Sequence, residues 1–332
     1  MRITRLAAAW IIAMGLFLAG PASSQEPITL GLLTKPGSAQ NVCAERFKSL
    51  LESRSPYRVT LIQGGALGTE IEILKQIQAG AVHMGVITSG PFDGFLPEAR
   101  VIDFPYLFDS YKQADKVLEG PLGTELLGRL ERVGFKGLAF SENGFRHVTN
   151  SIRPVHAVGD VKGLRMRVME SAPHEALWRL FEAIPVPMGS LTEVAKALRA
   201  GSIDGEENPL SAIWSNQFYE GQKYLSLTGH IYSAHIAVAN LKWFSALPEK
   251  DRALIGRCMR EAAKYEKRWS RKAEAGFLKK LKTSGLVVDE KPDTASFRTK
   301  AAAMADLDIF KEKDVTATLR RFQEAARAAA PQ

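Results

Sequence analysis

The order in which short apolar runs alternate with amphipathic stripes constrains this chain more than any other feature. Residues 28–33 read as a strand. Ala39–Arg54 carries Cys43, Phe47, Leu50 and Leu51 at i, i+4, i+7 and i+8, one face of a helix. Residues 57–63 read as a strand, with Val59 and Leu61 on one face, and Gly64-Gly65 stop it. A helix follows over 69–79, ended by Gly80, and then a strand over Met84–Thr88. This βαβαβ order implies a mostly parallel sheet with helices on both faces.

The alternation returns downstream. Residues 138–141, 145–149 and 163–168 read as strands, 171–181 as a helix and 185–187 as a short extended piece. Leu191–Ala200 reads as a helix stopped by Gly201. The chain's 332 residues, at about 150 per domain, suggest two domains. No fixed-period repeat or low-complexity tract separates them, so the chain is expected to cross between two α/β lobes more than once.

Pro248 then opens a helical stretch. Leu254, Cys258, Met259, Ala262, Tyr265 and Trp269 form a continuous apolar stripe that runs on to about Thr283. At about 1.5 Å per residue such a helix is roughly 50 Å long, longer than a lobe is wide, so it is expected to brace both. Two helices broken near 273–276 are the alternative.

The N-terminus reads as an address. Arg2 and Arg5 precede an uncharged, mostly apolar run over 6–19, too short to span a bilayer comfortably. Small residues Ala22, Ser23 and Ser24 follow. A cut after Ser24 leaves a chain exported from the cytoplasm; a cut after Ala22 fits the same pattern. Two cysteines, Cys43 and Cys258, exclude a disulfide framework and a cysteine-rich zinc module. Each sits on a helical apolar stripe and is expected as a buried free thiol. The net charge of +8 is too small to argue for nucleic acid.

Catalytic signatures are missing. There is no G-x-S-x-G, H-E-x-x-H, P-loop or dinucleotide G-x-G-x-x-G, and the six histidines show no metal-ligand spacing. No metal and no cofactor are expected, and binding is the economical reading of two lobes around a cleft. In Leu164-Arg165-Met166-Arg167-Val168, strand alternation puts Arg165 and Arg167 on one face. Arg167 lies nearer the strand's carboxyl end, where ligands sit in open parallel sheets. Its planar fork matches a carboxylate two bonds at a time. Asn208-Pro209 reads as the cap and first residue of a helix, itself an anion-favouring place.

Several strings together identify a family resemblance. They are Glu142-Asn143-Gly144-Phe145-Arg146-His147-Val148-Thr149-Asn150, residues 163–168, Asp204-Gly205-Glu206-Glu207-Asn208-Pro209-Leu210 and Phe218-Tyr219-Glu220-Gly221-Gln222-Lys223-Tyr224-Leu225. Gly68-Thr69-Glu70 with Gln76 and Gly80, and Asp103-Phe104-Pro105-Tyr106-Leu107-Phe108, belong with them. From Ile28 to beyond Leu247 the chain resembles the extracytoplasmic solute-binding component of tripartite ATP-independent periplasmic (TRAP) transporters.

The resemblance implies an α/β, two-lobed periplasmic binding protein of the Venus-flytrap kind, with hinge strands and a long lobe-spanning helix. The expected division is a signal peptide over 1–24, lobe I over 25–145 plus about 234–273, and lobe II over 146–233 plus about 274–332. The brace covers about 248–283. The pocket is expected to close on a small organic acid by hinge motion. Arg167 falls on the family's carboxylate-binding arginine, Arg146 on a second cationic contact and Asn208 on a hydrogen-bonding asparagine. Glu70, Thr88 and Ser89 match other pocket positions. Leu191 falls where relatives often carry an aromatic wall, with one residue inserted nearby, and Trp214 is placed to line the pocket or to pack its helix. Leu33-Thr34 offers an apolar residue where sialic-acid binders are polar, which disfavours that ligand.

The implied partners are the small and large membrane subunits of a TRAP permease, whose uptake is driven by an ion gradient, with the chain acting as a periplasmic monomer. A secreted two-lobed enzyme acting on a carboxylate, and a sensory protein feeding a membrane receptor, are the alternatives.

Overall fold

The computed structural model describes residues 26–330; the expected signal peptide, 1–24, lies outside the described residues. The strands are β1 (Ile28–Gly31), β2 (Val59–Ile62), β3 (Met84–Thr88), β4 (Phe135–Phe145), β5 (His147–Asn150), β6 (Arg165–Val168), β7 (Ile184–Pro187), β8 (Gly205–Asn208), β9 (Tyr224–Ser226), β10 (Tyr232–Asn240) and β11 (Val287–Asp289). They form two sheets, ordered β2-β1-β3-β10-β4 and β11-β9-β5-β8-β6-β7. β1 runs parallel to β2 and β3, as the βαβαβ pattern requires, while β10 is antiparallel to both β3 and β4. In the second sheet β6 is parallel to β7 and β8, and β5 is antiparallel to β8 and β9.

The chain leaves the first sheet at Phe145 and enters the second at His147, so Arg146 alone joins β4 to β5. The return crossing lies between β9 and β10. Arg146 N–H donates to the Ile231 carbonyl at 2.8 Å, tying the two crossings together. Gly144 just before the junction has φ +115, a conformation that disfavours any side chain, and a Cβ there would meet the Pro209 ring at 3.4 Å. The two strands expected over 138–141 and 145–149 are in fact an eleven-residue β4 and a separate β5. Pairing with β10 extends β4 along its whole length.

The helix Glu70–Ala79 begins with a reciprocal cap. Glu72 N–H donates to Thr69 Oγ1 at 3.4 Å, and Thr69 N–H donates to the Glu72 carboxylate at 2.6 Å. Gly80, at φ 82, ends it. This fixes Glu70 in the first turn. The helix Ala39–Arg54 buries Cys43, Phe47, Leu50 and Leu51 as their spacing demands. Cys43 and Cys258 are both buried and free.

The helix Glu249–Thr283 is continuous. Ile255, Cys258, Met259 and Ala262 join the core of the first lobe, whereas Phe277 and Leu281 join Val194, Leu198, Ile213 and Leu225 of the second. Midway, Glu266 accepts the backbone N–H of Glu142 at 2.8 Å, and Arg271 pairs with the Glu142 carboxylate at 2.6 Å. The brace therefore grips β4 next to the hinge. On one side the lobes also share an apolar seam. The helix Ala172–Leu180 packs against Gly90–Gly94 and Pro97–Asp103 through residues such as Phe92, Ile102, Leu177 and Trp178. The C-terminal helix Lys313–Ala329 packs on Pro97–Asp103 and Tyr111–Leu118.

Candidate functional site

A cleft partly open to solvent lies between the two sheets. Glu70, Thr88, Arg146, Arg167, Leu191 and Asn208 line it together, drawn from both lobes. Two expected residues do not. Ser89 Oγ turns away and donates to Asp103 Oδ1 at 2.6 Å. Trp214 stacks on Tyr219, with ring centroids 4.9 Å apart and planes 12° apart, and Lys280 lies over its ring at 5.3 Å. Its role is packing the helix Leu210–Ser215 onto the brace.

The two arginines of β6 share a face, and position along the strand separates them as expected. Arg165 is at the solvent end, held by Asp204 at 2.7 Å. Arg167 is only 3% exposed. Its Nε and Nη2 donate to the Met188 carbonyl at 3.0 and 2.6 Å, and Nη1 makes no hydrogen bond to the protein. Burial, with the neighbouring Arg146 charge, pulls its pKa down to about 10 in spite of Glu207, Glu206 and Glu70. The guanidinium thus remains a cation at neutral pH, but one short of counter-charge.

Arg146 is fully buried and differently engaged. Its Nε meets Glu207 Oε2 at 2.5 Å and Nη2 meets Glu207 Oε1 at 2.8 Å, with a further bond from Nη2 to the Glu207 carbonyl. Burial works against its charge, but Glu207 outweighs that and raises its pKa. Burial likewise works against the Glu207 carboxylate. Arg146, His174 and His230 overcome it and hold Glu207 far below the usual carboxylate range. Only Nη1 of Arg146 lacks a partner.

Asn208 is the last residue of β8, and Pro209, not Asn208, caps the following helix. Its Nδ2 donates to Glu206 Oε2 at 2.6 Å. Glu206 also accepts from Thr149 Oγ1 at 2.6 Å and lies beside Arg167 in the β6–β8 register. Burial, with Glu207 nearby, pushes the Glu206 carboxyl up to about 7 despite these donors. On the opposite wall Glu70 is also buried, and burial raises its pKa against the donors of Thr88 and Gln40.

Sequence reasoning missed Gln40, Glu206 and Gly189. Gln40 lies on the buried face of its helix, three residues before Cys43 and seven before Phe47, so a polar residue on an apolar stripe was the signal that could have found it. Glu206 faces Arg167 only because β8 lies beside β6, a neighbour relation that no local pattern encodes. At Gly189 a Cβ would sit 2.2 Å from Glu170 Oε2 and 2.7 Å from Thr69 Cγ2, so the walls meet there at a distance only glycine allows.

Known proteins resemble the chain over most of its length. The family described as bacterial extracellular solute-binding protein, family 7, matches residues 30–313. A solute-binding protein of Verminephrobacter eiseniae is 38% identical over 294 residues, 88% of this chain and 87% of that one. The 2,3-diketo-L-gulonate-binding periplasmic protein YiaO of Escherichia coli is 32% identical over 295 residues, 86% of this chain and 89% of its own. The crystal structure of a TRAP periplasmic solute-binding protein from Polaromonas sp. JS666, bound to D-erythronate, superposes with a TM-score of 0.85 at 33% identity. It covers 90% of this chain and 98% of that one.

Proposed function

The chain belongs to family 7 of the bacterial extracellular solute-binding proteins, the TRAP type, and on that premise we propose that Arg167 grips the carboxylate of a small organic acid as the two lobes close. The family is extracytoplasmic, binds small organic acids and works with a membrane permease.

The observation that carries the assignment is the free edge of Arg167. It is a buried guanidinium whose Nη1 has no partner in a cleft, beside an Arg146 Nη1 that also lacks one. A carboxylate supplies the counter-charge and acceptors that both edges lack. Asn208, Glu70, Thr88 and Leu191 complete the ligand's surroundings. Arg146 contributes the N–H groups of its unpartnered Nη1.

On this reading residues 1–24 are a cleaved export signal, and the mature chain is a periplasmic monomer. It hands its ligand to a small and a large permease subunit without altering it. The lobes divide at Arg146 and near 233, and the brace passes from one to the other. The tail beyond about 274 is shared, because the helix Lys313–Ala329 packs on lobe I.

A thermal-shift screen over sugar acids, hydroxy acids, keto acids and dicarboxylates tests the assignment, since a ligand that binds only the folded state raises the melting temperature. The expected result is a shift with acids but not with the matching neutral alcohols or amides, one ligand per chain, recovered unchanged. Chemical turnover, or equal shifts with the neutral analogues, overturns it.

A further inference from the structure

The charge of the cleft is unevenly distributed. Its Lys and Arg lining consists of Arg146 and Arg167, both from the second lobe's side. His235 also lines the cleft, but burial pushes its pKa down to about 3, so it is neutral. The first lobe's wall presents Glu70. Its Oε1 is saturated: Gln40 Nε2 donates at 2.5 Å, Thr88 N–H at 2.9 Å and Thr88 Oγ1 at 2.9 Å. Gln40 is itself fixed, its Oε1 accepting from Thr34 Oγ1 at 3.0 Å. Oε2 of Glu70 receives no hydrogen bond from the protein, although the side chain is only 5% exposed and lines the cleft.

An oriented oxygen of a largely buried carboxyl group that reaches the cleft with no donor from the protein is an incomplete site. A ligand hydroxyl completes it. A second ligand carboxylate does the reverse, because it is buried beside Glu70 and Glu170 with no cation left to pair with. The existing cations are already committed, Arg146 to Glu207 and Arg167 to the first carboxylate.

We infer that the cleft takes a hydroxylated monocarboxylate, its carboxylate on Arg167 and a hydroxyl donating to Oε2 of Glu70, and rejects acids of the same length that carry a second carboxylate. This rests on the reading of the cleft as an organic-acid site. A site that holds a buried acceptor for a hydroxyl strongly rejects analogues lacking that donor.

Calorimetry on the purified mature chain at neutral pH tests the inference with length-matched acids. The four-carbon set is erythronate, butanoate, succinate and malate; the six-carbon set is galactonate and galactarate. The expected result is that the hydroxylated monocarboxylate of at least one length binds about 100-fold tighter than its dicarboxylate counterpart, and that no dicarboxylate wins at either length. Glu70→Gln is expected to weaken that monocarboxylate by about 10- to 100-fold, the span of one hydrogen bond to a charged group, and to narrow the gap to the dicarboxylate.

A dicarboxylate that binds as well or better at either length overturns the inference and leaves the organic-acid reading standing. Butanoate matching erythronate does the same. So does a folded Glu70→Gln protein, judged by an unchanged melting curve, with unaltered affinities. Failure of every acid in both sets overturns the inference and the organic-acid reading together.

Discussion

Arg146 and Arg167 line one cleft, and their surroundings are opposite. Arg146 stands at the only residue joining β4 to β5 and is bonded through two nitrogens to Glu207. Arg167 stands near the carboxyl end of β6, between β8 and β7, and is bonded only to a carbonyl, Met188. Both are buried, but one is a neutralised pair and the other a cation awaiting an anion. The difference teaches that burial of an arginine says nothing about its role until its counter-charge is located. A paired guanidinium holds the hinge together; an unpaired one is a ligand site maintained at some cost in stability.

The largest expected effect tests the unpaired member. Arg167→Met is expected to weaken binding of the cognate acid by about 3–5 kcal/mol, more than 100-fold, because a carboxylate closed into the cleft then has no partner. The ligand-free protein is not expected to lose stability. Its Arg167 pKa is depressed in the folded state, so at neutral pH the charged side chain opposes folding, and its removal leaves the melting temperature equal or higher. Calorimetry and a melting curve on the same preparation check both halves. A lower melting temperature with retained affinity would reverse the assignment of the two arginines.

The next effect tests the paired member. Arg146→Met strands Glu207 in the interior and is expected to cost about 3 kcal/mol of stability, read as a lower urea midpoint. Glu207→Gln in the same chain is expected to restore part of the loss, giving a coupling energy of about 1–3 kcal/mol in the double-mutant cycle. Additive single effects would mean that the pair is incidental.

A smaller effect comes from Glu206, which lies beside Arg167. Its folded pKa of about 7 exceeds the ordinary 4.5, chiefly through burial. Below that value the group is neutral and leaves Arg167 free for the ligand. Above it Glu206 is a carboxylate competing for the same cation. Affinity is therefore expected to fall by about fivefold between pH 6 and pH 8, as one further unit of pKa shift on binding requires. Glu206→Gln is expected to flatten that profile. Stability of the ligand-free protein follows the same sign: the unfolded chain loses this proton first, so stability declines as pH rises from about 4.5 through 7. Dissociation constants that are equal at pH 6 and pH 8 would remove Glu206 from the site.

Much of this was readable before any coordinates. Period and punctuation located the first βαβαβ unit, the helix that starts at about Thr69 and the apolar stripe of the brace, because those features are local, but left open the break near 273–276 that the continuous helix rules out. Strand alternation put Arg165 and Arg167 on one face, and nearness to the strand's carboxyl end picked out Arg167. The partners of the arginines were not readable. Glu207 meets Arg146 because β5 and β8 are neighbours, and Glu206 meets Arg167 because β8 and β6 are. Neighbour order in a sheet depends on how the whole chain is threaded, so a motif names the cation and leaves its counter-charge unknown. Ser89 fell out of the cleft for a similar reason: Asp103, fourteen residues away, captures its hydroxyl.

Trp214 gives the smallest effect on binding, and it was predictable from helix geometry. Ala212 and Asn216 line the cleft, and they are four residues apart, on one face of the helix Leu210–Ser215 and its cap. Trp214 lies two residues from each, roughly 200° around at about 100° per residue, and so faces the other way. There Tyr219 stacks on it and Lys280 of the brace covers it. Trp214→Leu is therefore expected to change Kd by less than about twofold while removing about 1–2 kcal/mol of stacking and cation–π stabilisation, seen as a melting temperature lower by a few degrees. A tenfold loss of affinity with unchanged melting would put the indole back in the cleft. It would also mean that the helix rotates when the lobes close around their ligand.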